Sequence, residues 1–151
     1  MPKIERILLV CTGNTCRSPM AEALCQHYLP EVETLSAGVG AAPGLPASIG
    51  AQEAMERRGL HLEHHRSRAL SAYLLADADL VLCMSQSHKQ VILQALPEMT
   101  DKVFTLAEYV DEPNQDIADP FGGDSEAYEA CAQQIETLVQ KLTAKLEEKP
   151  E

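Results

Sequence analysis

The sequence predicts a single α/β domain in which a four-stranded parallel sheet is covered by helices on both faces. Short apolar runs alternate with helical segments along the chain. These runs are continuously apolar, which is typical of strands buried on both faces of a parallel sheet. A length of 151 residues suits one domain with a sizeable core. We therefore treat residues 1–151 as one domain whose last few residues, rich in Glu and Lys, fray.

The first half of the chain supplies two strands and two helices. Residues 4–10 form the first strand, and a helix from about residue 19 to residue 28 follows it. A short strand covers about residues 33–36 and leads into a Gly- and Pro-rich connection. The second helix ends at about Arg58, because Gly59 is a typical stop signal.

The second half begins with a short helix that ends near residue 76 and a buried strand at residues 79–84. Ser85 or Ser87 can cap the helix that runs from there to Pro97. A fourth strand is predicted at residues 102–106.

The chain closes with a long loop and a long helix. Residues 107–123 are rich in turn-forming Pro, Gly and Asn, which argues against regular structure. Long loops in compact domains often carry function. The last helix spans about residues 125–146. Core packing explains its apolar stripe, which consists of Tyr128, Cys131, Ile135, Leu138 and Leu142.

Composition limits the partners and the compartment. A formal net charge of -11 and a pI near 4.8 argue against a general binder of nucleic acid or of acidic membranes. No apolar run is long enough to span a bilayer, and the N-terminus lacks the apolar segment of a secretory signal. Five cysteines, an odd number, fit a reducing compartment. We expect a cytoplasmic protein.

The stretch Cys-Thr-Gly-Asn-Thr-Cys-Arg-Ser at residues 11–18, called the 11–18 loop below, predicts an anion site. It joins a strand to a helix, so inward backbone N–H groups and the helix N-terminus favour a bound phosphate. Gly13 permits a turn that a side chain would hinder, and Asn14 tolerates a positive φ. The predicted phosphate-binding residues are Thr12, Gly13, Asn14, Thr15, Cys16, Arg17 and Ser18.

The same loop predicts nucleophilic chemistry. The N–H groups, the helix end and the Arg17 cation stabilise the thiolate form of Cys11. Arg17 can hold two phosphoryl oxygens in a bidentate fork, and the Ser18 hydroxyl can donate to the sulfur. Attack of the thiolate on phosphorus would give a phospho-cysteine that water then hydrolyses.

The leaving group of such a reaction needs a proton, which a carboxylic acid commonly supplies. The long loop offers four acids, Asp111, Glu112, Asp116 and Asp119. Asp119 stands out because Pro120 fixes the chain behind it and Phe121 could wall a pocket. An aspartate that merely starts a turn before proline explains the same tripeptide.

The segment from His61 to Leu70 is rich in cations, and a metal site there is conceivable. Its imidazoles at His61, His64 and His65 have the spacing of neither a helical pair nor a zinc knuckle. A surface or supporting role is therefore favoured.

Three separated motifs resemble the low-molecular-weight protein tyrosine phosphatase family over about residues 4–146. They are the segment from Cys11 to Glu22, Ser36-Ala-Gly38 and Asp119-Pro-Phe121. The resemblance implies Cys11 as nucleophile, Arg17 as the phosphate and transition-state clamp, and Asp119 as general acid and then base. It also implies that Ser18 stabilises the thiolate. The mechanism needs no metal or organic cofactor, because Arg17 and backbone N–H groups meet the phosphate charge.

The resemblance further implies a network that supports the loop, formed by Asn14, Ser18, Ser36 and His65. Cys16 matches a cysteine that can form a reversible disulfide with the nucleophile, consistent with an exposed thiolate. A buried cysteine at a helix start is an equally good interpretation. The implied partners are phosphorylated proteins, and we expect a monomer.

Thr15 and Phe121 are the predicted specificity residues. Tyrosine-directed members usually carry a bulky aliphatic residue and a tyrosine at these positions, whereas this chain resembles the bacterial protein arginine phosphatase branch. A hydroxyl can pair with guanidinium N–H groups that an aliphatic wall would leave unpaired. No Lys or Arg occurs between residues 103 and 140, and an acidic rim there would favour a cationic side chain. Its nine acids are Glu108, Asp111, Glu112, Asp116, Asp119, Asp124, Glu126, Glu129 and Glu136. A solvated acidic surface explains most of these acids equally well.

Two alternatives to hydrolysis of phosphoarginine remain. The first is a phosphotyrosine phosphatase in which Thr15 is incidental. The second is a thiol-dependent arsenate reductase, which uses a similar loop but needs further cysteines to pass oxidation outward. Cys83 could be one of these, yet the next cysteine is Cys131 in the last helix and position 90 is Gln. Asp119-Pro120 also favours hydrolysis.

Overall fold

The computed structural model describes residues 3–113 and 115–147. The fraying predicted for the end of the chain concerns residues that lie outside these ranges. Within them the predicted fold class is confirmed, since four parallel strands form one sheet with helices on both faces. None of the helices in the described ranges is both long and apolar enough to cross a membrane.

The sheet has the order β2-β1-β3-β4, so β1 lies inside it with a parallel neighbour on each side. The strands are β1 (Arg6–Cys11), β2 (Glu33–Gly38), β3 (Leu80–Cys83) and β4 (Val103–Thr105). Cys11 pairs with Gly38 of β2, and Val10 pairs with Cys83 of β3. The carboxyl ends of three strands therefore meet at one edge, where open α/β sheets bind their ligands.

In the described part of the chain, six α-helices cover the two faces of the sheet. They are α1 (Arg17–Tyr28), α2 (Ile49–Glu56), α3 (Ala72–Asp77), α4 (Gln86–Ala95), α5 (Leu106–Tyr109) and α6 (Ser125–Glu147). Alternate residues of β1 serve opposite faces. Ile7 and Leu9 belong to the core formed with α1, α2 and α6, whereas Leu8 and Val10 belong to the core formed with α3 and α4.

Most predicted elements agree with the structure to within a few residues. The α6 stripe from Tyr128 to Leu142 is buried, as expected of a core-facing stripe. Gly59 lies just beyond α2 with a φ of 74°, a left-handed conformation that favours glycine. Ser85, rather than Ser87, is the N-cap of α4.

The expectation of an irregular segment from residue 107 onward is wrong at its start. Leu106–Tyr109 form α5. The Thr105 hydroxyl accepts from the backbone N–H of Glu108 at 3.0 Å, and the Glu108 carboxylate accepts from the N–H of Thr105 at 2.8 Å. This reciprocal capping stabilises a single helical turn, and the Thr-x-x-Glu spacing that produces it is visible in the sequence.

Candidate active site

A cavity of about 200 Å³ lies at the carboxyl end of β1. Every residue that lines it was predicted from the sequence as a site residue: Cys11, Thr12, Gly13, Thr15, Cys16, Arg17, Asp119 and Phe121. A larger cavity of about 540 Å³ extends along Ile4, Val32 and Leu146 and contains none of the predicted site residues. Chemistry rather than volume therefore locates the candidate site.

Asn14 shapes the backbone of the 11–18 loop. Its φ of 57° confirms the predicted positive φ. Its carbonyl oxygen lies 2.7 Å from His65 Nε2, and its side-chain oxygen accepts from the backbone N–H of Arg68 at 2.9 Å. The segment that carries His65 thus ties down a residue that is completely buried.

The side-chain nitrogen of Asn14 begins a buried chain of hydrogen bonds that reaches Cys11. Asn14 Nδ2 donates to Ser18 Oγ at 2.8 Å and to Ser36 Oγ at 2.9 Å. Ser18 Oγ lies 2.9 Å from Cys11 Sγ. Because Ser18 already accepts from Asn14, its own hydrogen is available to the sulfur. The structure thus places the predicted supporting residues in one network.

Sequence reasoning missed Glu22, which extends this network. Ser36 Oγ donates to Glu22 Oε1 at 2.6 Å. Burial raises the pKa of Glu22, while the hydrogen bond from Ser36 opposes that shift. Glu22 lies within the motif that carries the family resemblance, but nothing in its local pattern indicates a contact with Ser36.

The expectation that position 13 requires a glycine is wrong. The position near the loop that does require one is Gly38. Gly13 has no positive φ, and a Cβ there would meet only Thr15 Oγ1 at 3.7 Å. A Cβ on Gly38 would lie 2.5 Å from the Thr12 carbonyl oxygen and 3.0 Å from the Asn14 nitrogen. The end of β2 therefore packs directly against the backbone of the 11–18 loop.

Arg17 is a buried cation held on two sides. Its Nη1 donates to the Ile117 carbonyl oxygen at 2.8 Å. Its Nη2 donates to Thr12 Oγ1 at 3.4 Å and lies 3.5 Å from Asp119 Oδ2. Its buried Nε has no hydrogen-bond partner among the described residues. An oxyanion in the cavity would supply such a partner, which fits the predicted phosphate site.

The position of Asp119 is compatible with both interpretations of its tripeptide. Its Oδ1 accepts from the backbone N–H of Phe121 at 3.1 Å, which is a turn contact. Its other oxygen faces Arg17, and its half-exposed side chain lines the cavity. Phe121 lines the same cavity at the surface, with 74% of its area exposed.

The other three candidate acids lie elsewhere. Asp116 accepts from the backbone N–H of Gln86 at the start of α4, at 3.1 Å. Glu112 pairs with Lys141. Asp111 adopts a left-handed φ of 66° at the end of α5. Of the four acids, Asp119 is the one that lines the cavity.

Four of the nine acids of the predicted rim pair with cations from outside the stretch 103–140. Lys89 pairs with Glu108 and Lys141 pairs with Glu112. Arg57 pairs with Glu129, and Arg58 pairs with both Glu129 and Glu136. The rim expected to favour a cationic substrate is therefore reduced, at the cavity itself, to Asp119.

The two cysteines of the loop are both buried. Cys11 is 2% exposed, so the expectation of an exposed thiolate is wrong for the residue as a whole, although Cys11 does line the cavity. Cys16 is also buried, and its Sγ lies 3.4 Å from Ser48 Oγ and 3.4 Å from Tyr128 Oη. Both thiols are free. Cys16 matches the interpretation of a buried cysteine at a helix start, whereas its redox role stays a prediction.

The remaining cysteines do not form an outward thiol relay. Cys25, Cys83 and Cys131 are buried, and burial raises the pKa of each thiol to about 12. A thiol that stays protonated at neutral pH is a poor nucleophile for disulfide exchange. This weakens the arsenate reductase alternative.

His88 is a second buried residue that sequence reasoning missed. It lies in the first turn of α4, and its Nε2 is 2.9 Å from Thr12 Oγ1 in the 11–18 loop. Burial, together with the nearby Arg17 cation, lowers the pKa of His88 to about 4. The Ser85-x-x-His88 spacing after a strand was a capping signal, but the contact with Thr12 spans 76 residues of sequence.

An α/β fold with a cysteine, an arginine and an aspartate around an anion-sized cavity defines a class, the cysteine-dependent phosphatases. The chain belongs to the low molecular weight phosphotyrosine protein phosphatase family, whose model matches residues 6–151.

Individual relatives fall into two groups. A protein-arginine-phosphatase of Geobacillus stearothermophilus is 48% identical over 94% of this chain and 96% of its own length. A probable low molecular weight protein-tyrosine-phosphatase, EpsP of Ralstonia nicotianae, is 42% identical over 88% of this chain and 90% of its own. A solved mutant of the YwlE arginine phosphatase with a phosphorylated active-site serine is 41% identical, has a TM-score of 0.90 and covers 95% of this chain and 96% of its own.

Proposed function

We propose that this protein is a protein arginine phosphatase that hydrolyses phosphoarginine side chains through a phospho-cysteine at Cys11. The observation that carries the choice of substrate is Thr15, whose side chain lines the cavity beside Arg17 and Asp119. Relatives bearing the protein-arginine-phosphatase name, at 48% and 43% identity, support the same substrate class.

The first step is attack of the Cys11 thiolate on phosphorus. The sulfur–phosphorus bond forms while the phosphorus–nitrogen bond breaks, and Asp119 delivers its proton to the departing guanidine nitrogen. Ser18 supplies a hydrogen bond to the sulfur, which lies 2.9 Å from its hydroxyl. Arg17 and the loop N–H groups hold the charge of the three phosphoryl oxygens.

The second step releases phosphate. Asp119, now a carboxylate, accepts a proton from water as the water oxygen attacks phosphorus, and the thiolate departs. The relative solved with a phosphorylated active-site serine shows that a covalent phospho-enzyme forms in that protein. These steps need neither a metal nor an organic cofactor, because Arg17 and backbone N–H groups meet the phosphate charge.

Thr15 and Asp119 together suit a guanidinium. The Thr15 hydroxyl can accept from a guanidinium N–H that an aliphatic side chain would leave unpaired. Asp119 lies in the same cavity, and once it has given up its proton its carboxylate provides a negative partner for the departing guanidinium. Phe121 offers an exposed aromatic face on which a planar cation can stack.

A phosphotyrosine phosphatase is the second candidate, supported by EpsP and related tyrosine phosphatases at up to 42% identity. In that case the 11–18 loop would perform the same chemistry on phosphorus, and only the wall of the cavity would favour the tyrosine ring. Thr15 would then be incidental.

The test is phosphate release by the metal-free protein from matched peptides carrying phosphoarginine or phosphotyrosine. Cys11→Ser serves as the blank. A kcat/KM at least about tenfold higher for phosphoarginine supports the proposal. A preference for phosphotyrosine overturns the substrate assignment and keeps the phosphatase.

We also propose that Cys16 protects Cys11 during oxidation. Peroxide would convert the Cys11 thiolate to a sulfenic acid, and the Cys16 thiol would displace water to give a disulfide. A thiol reductant then restores both thiols. Activity lost to brief peroxide treatment should return on reduction in the wild type and fail to return in Cys16→Ser, whereas equal recovery in both proteins contradicts the role.

A further inference from the structure

His88 connects the start of α4 to the 11–18 loop, and its contacts define how it does so. The backbone N–H of Ser85 points at His88 Nδ1 at 3.2 Å, and Ser85 Oγ lies 3.0 Å from the same nitrogen. A backbone N–H can only donate, so Nδ1 is an acceptor. In the neutral ring the proton then sits on Nε2.

The position of that proton fixes the direction of the next hydrogen bond. His88 Nε2 donates to Thr12 Oγ1, which lies 2.9 Å away. Arg17 Nη2 donates to the same oxygen at 3.4 Å, because a guanidinium has no acceptor. Thr12 thus accepts on both sides, although the residue itself is exposed at the cavity wall.

The position of the Arg17 guanidinium depends on this arrangement at its Nη2 atom. The Ile117 carbonyl oxygen holds Nη1 at 2.8 Å, and Asp119 approaches Nη2 from the cavity at 3.5 Å. Without an oriented Thr12 oxygen, the only contact left to Nη2 among the described residues would be the half-exposed carboxyl group of Asp119. The neutral state of His88 is consistent with its burial, 3% exposed, beside the arginine cation.

We propose that His88 is a positioning residue of this site, whose Nε2–H fixes the Thr12 hydroxyl as an acceptor for Arg17 and thereby holds the guanidinium for the phosphoryl group. The inference rests on the proposed function, because Arg17 is the predicted phosphate clamp. It assigns the residue at the start of α4 to the phosphate site rather than to helix capping alone.

Two substitutions separate the capping contact from the Thr12 contact. Asparagine at position 88 places its oxygen near the position of Nδ1, where it can still accept from Ser85, but it does not reach Thr12. Glutamine reaches the position of Nε2 with a donor but gives up the acceptor near Ser85. We expect His88→Asn to lower kcat/KM about tenfold with little change in Tm, and His88→Gln to recover activity while lowering Tm.

A double-mutant comparison adds a readout that a purely structural role would not move. Thr12→Val removes the shared hydroxyl, so His88→Asn in the Thr12→Val background should cost no further activity. Ile92→Ala, a cavity-forming change at a buried position of the same helix, controls for general destabilisation of α4 and should lower Tm at unchanged kcat/KM.

Affinity for inorganic phosphate, measured by calorimetry, tests the same idea without turnover. We expect His88→Asn to bind phosphate about tenfold more weakly than the wild type and Ile92→Ala to bind it equally well. If the protein prefers phosphotyrosine or lacks activity, the substrate assignment fails while the phosphate affinities still test His88. Wild-type phosphate affinity in His88→Asn, or activity that follows Tm in all variants, overturns the inference.

Discussion

At the scale of single residues, Thr15 is the proposed selector between two substrates that share all of the phosphorus chemistry. Thr15→Ile places an aliphatic wall in the cavity, so guanidinium N–H groups lose an acceptor while a phenol ring gains apolar contact. We expect the kcat/KM ratio of phosphoarginine to phosphotyrosine peptides to fall at least about tenfold, which is about 1.4 kcal/mol of relative barrier. Thr15→Ser keeps the hydroxyl and should keep the preference. A ratio unchanged in Thr15→Ile would show that Thr15 does not select.

A second prediction at this scale concerns the proton donor Asp119. Asp119→Asn keeps the turn contact to Phe121 but removes the proton, so kcat for phosphoarginine should fall by about 10²–10⁴-fold. An aryl phosphate with a good leaving group needs less protonation and should lose less.

The matched control is Asp116→Asn on the same loop. An asparagine can still cap α4 through its side-chain oxygen, and position 116 does not line the cavity. Its kcat should stay within about twofold of the wild type. Equal losses in the two variants would argue that the loop, rather than the acid, matters.

At the scale of elements, the end of β2 and the 11–18 loop are packed too closely for a side chain at position 38. Gly38→Ala would press a methyl group against the Thr12 carbonyl and force the loop to shift. We expect a loss of about 1–3 kcal/mol in the free energy of unfolding, measured with urea, and a lower kcat/KM.

Gly40→Ala provides the control for Gly38. A Cβ there would meet the same carbonyl oxygen at an ordinary 3.9 Å, and Gly40 has no positive φ. This variant should keep both stability and activity. If Gly38→Ala matches it, the close approach of β2 to the loop has no energetic consequence.

The sequence predicted those elements and residues that depend on local patterns. The β1–loop–α1 unit, the positive φ of Asn14 and the α6 stripe all follow from residues next to one another or from a simple periodicity. The single turn of α5 was missed because turn residues nearby outweighed its Thr105–Glu108 capping signal. Four residues give too short a pattern for periodicity to compete.

The residues that were missed make contacts across the fold. His88 meets Thr12 and Glu22 meets Ser36 only because the sheet order brings β1, β2 and β3 side by side. Likewise, four acids of the expected rim are paired with Arg57, Arg58, Lys89 and Lys141, which lie outside residues 103–140 in the sequence. Pairing of this kind depends on tertiary structure, which a local pattern does not contain.

At the scale of the whole molecule, the net charge of -11 coexists with a small set of structured ion pairs. Arg58 bonds both Glu129 and Glu136 and so joins the end of α2 to α6. Its hydrogen bonds hold the pKa of Glu129 below the ordinary value, and bonds from Tyr28 and Arg58 do the same for Glu136. These carboxylates stabilise the fold above their unfolded pKa of 4.5, and that contribution is lost as pH falls through their lower folded values.

His88 makes stability fall at a higher pH than the carboxylates do. Its folded pKa of about 4 lies below the ordinary 6.5. Between pH 4 and pH 6.5 the histidine is therefore protonated to a greater extent in the unfolded chain than in the folded protein. The free energy of unfolding should therefore decrease as pH falls from about 6.5 toward 4, while the buried Glu22, whose pKa is raised, acts in the opposite direction. Urea unfolding of the wild type and of His88→Asn over this range isolates the histidine, since the variant should show a shallower decline. Parallel curves would mean that His88 is protonated as readily in the folded protein as in the unfolded chain, which contradicts the prediction.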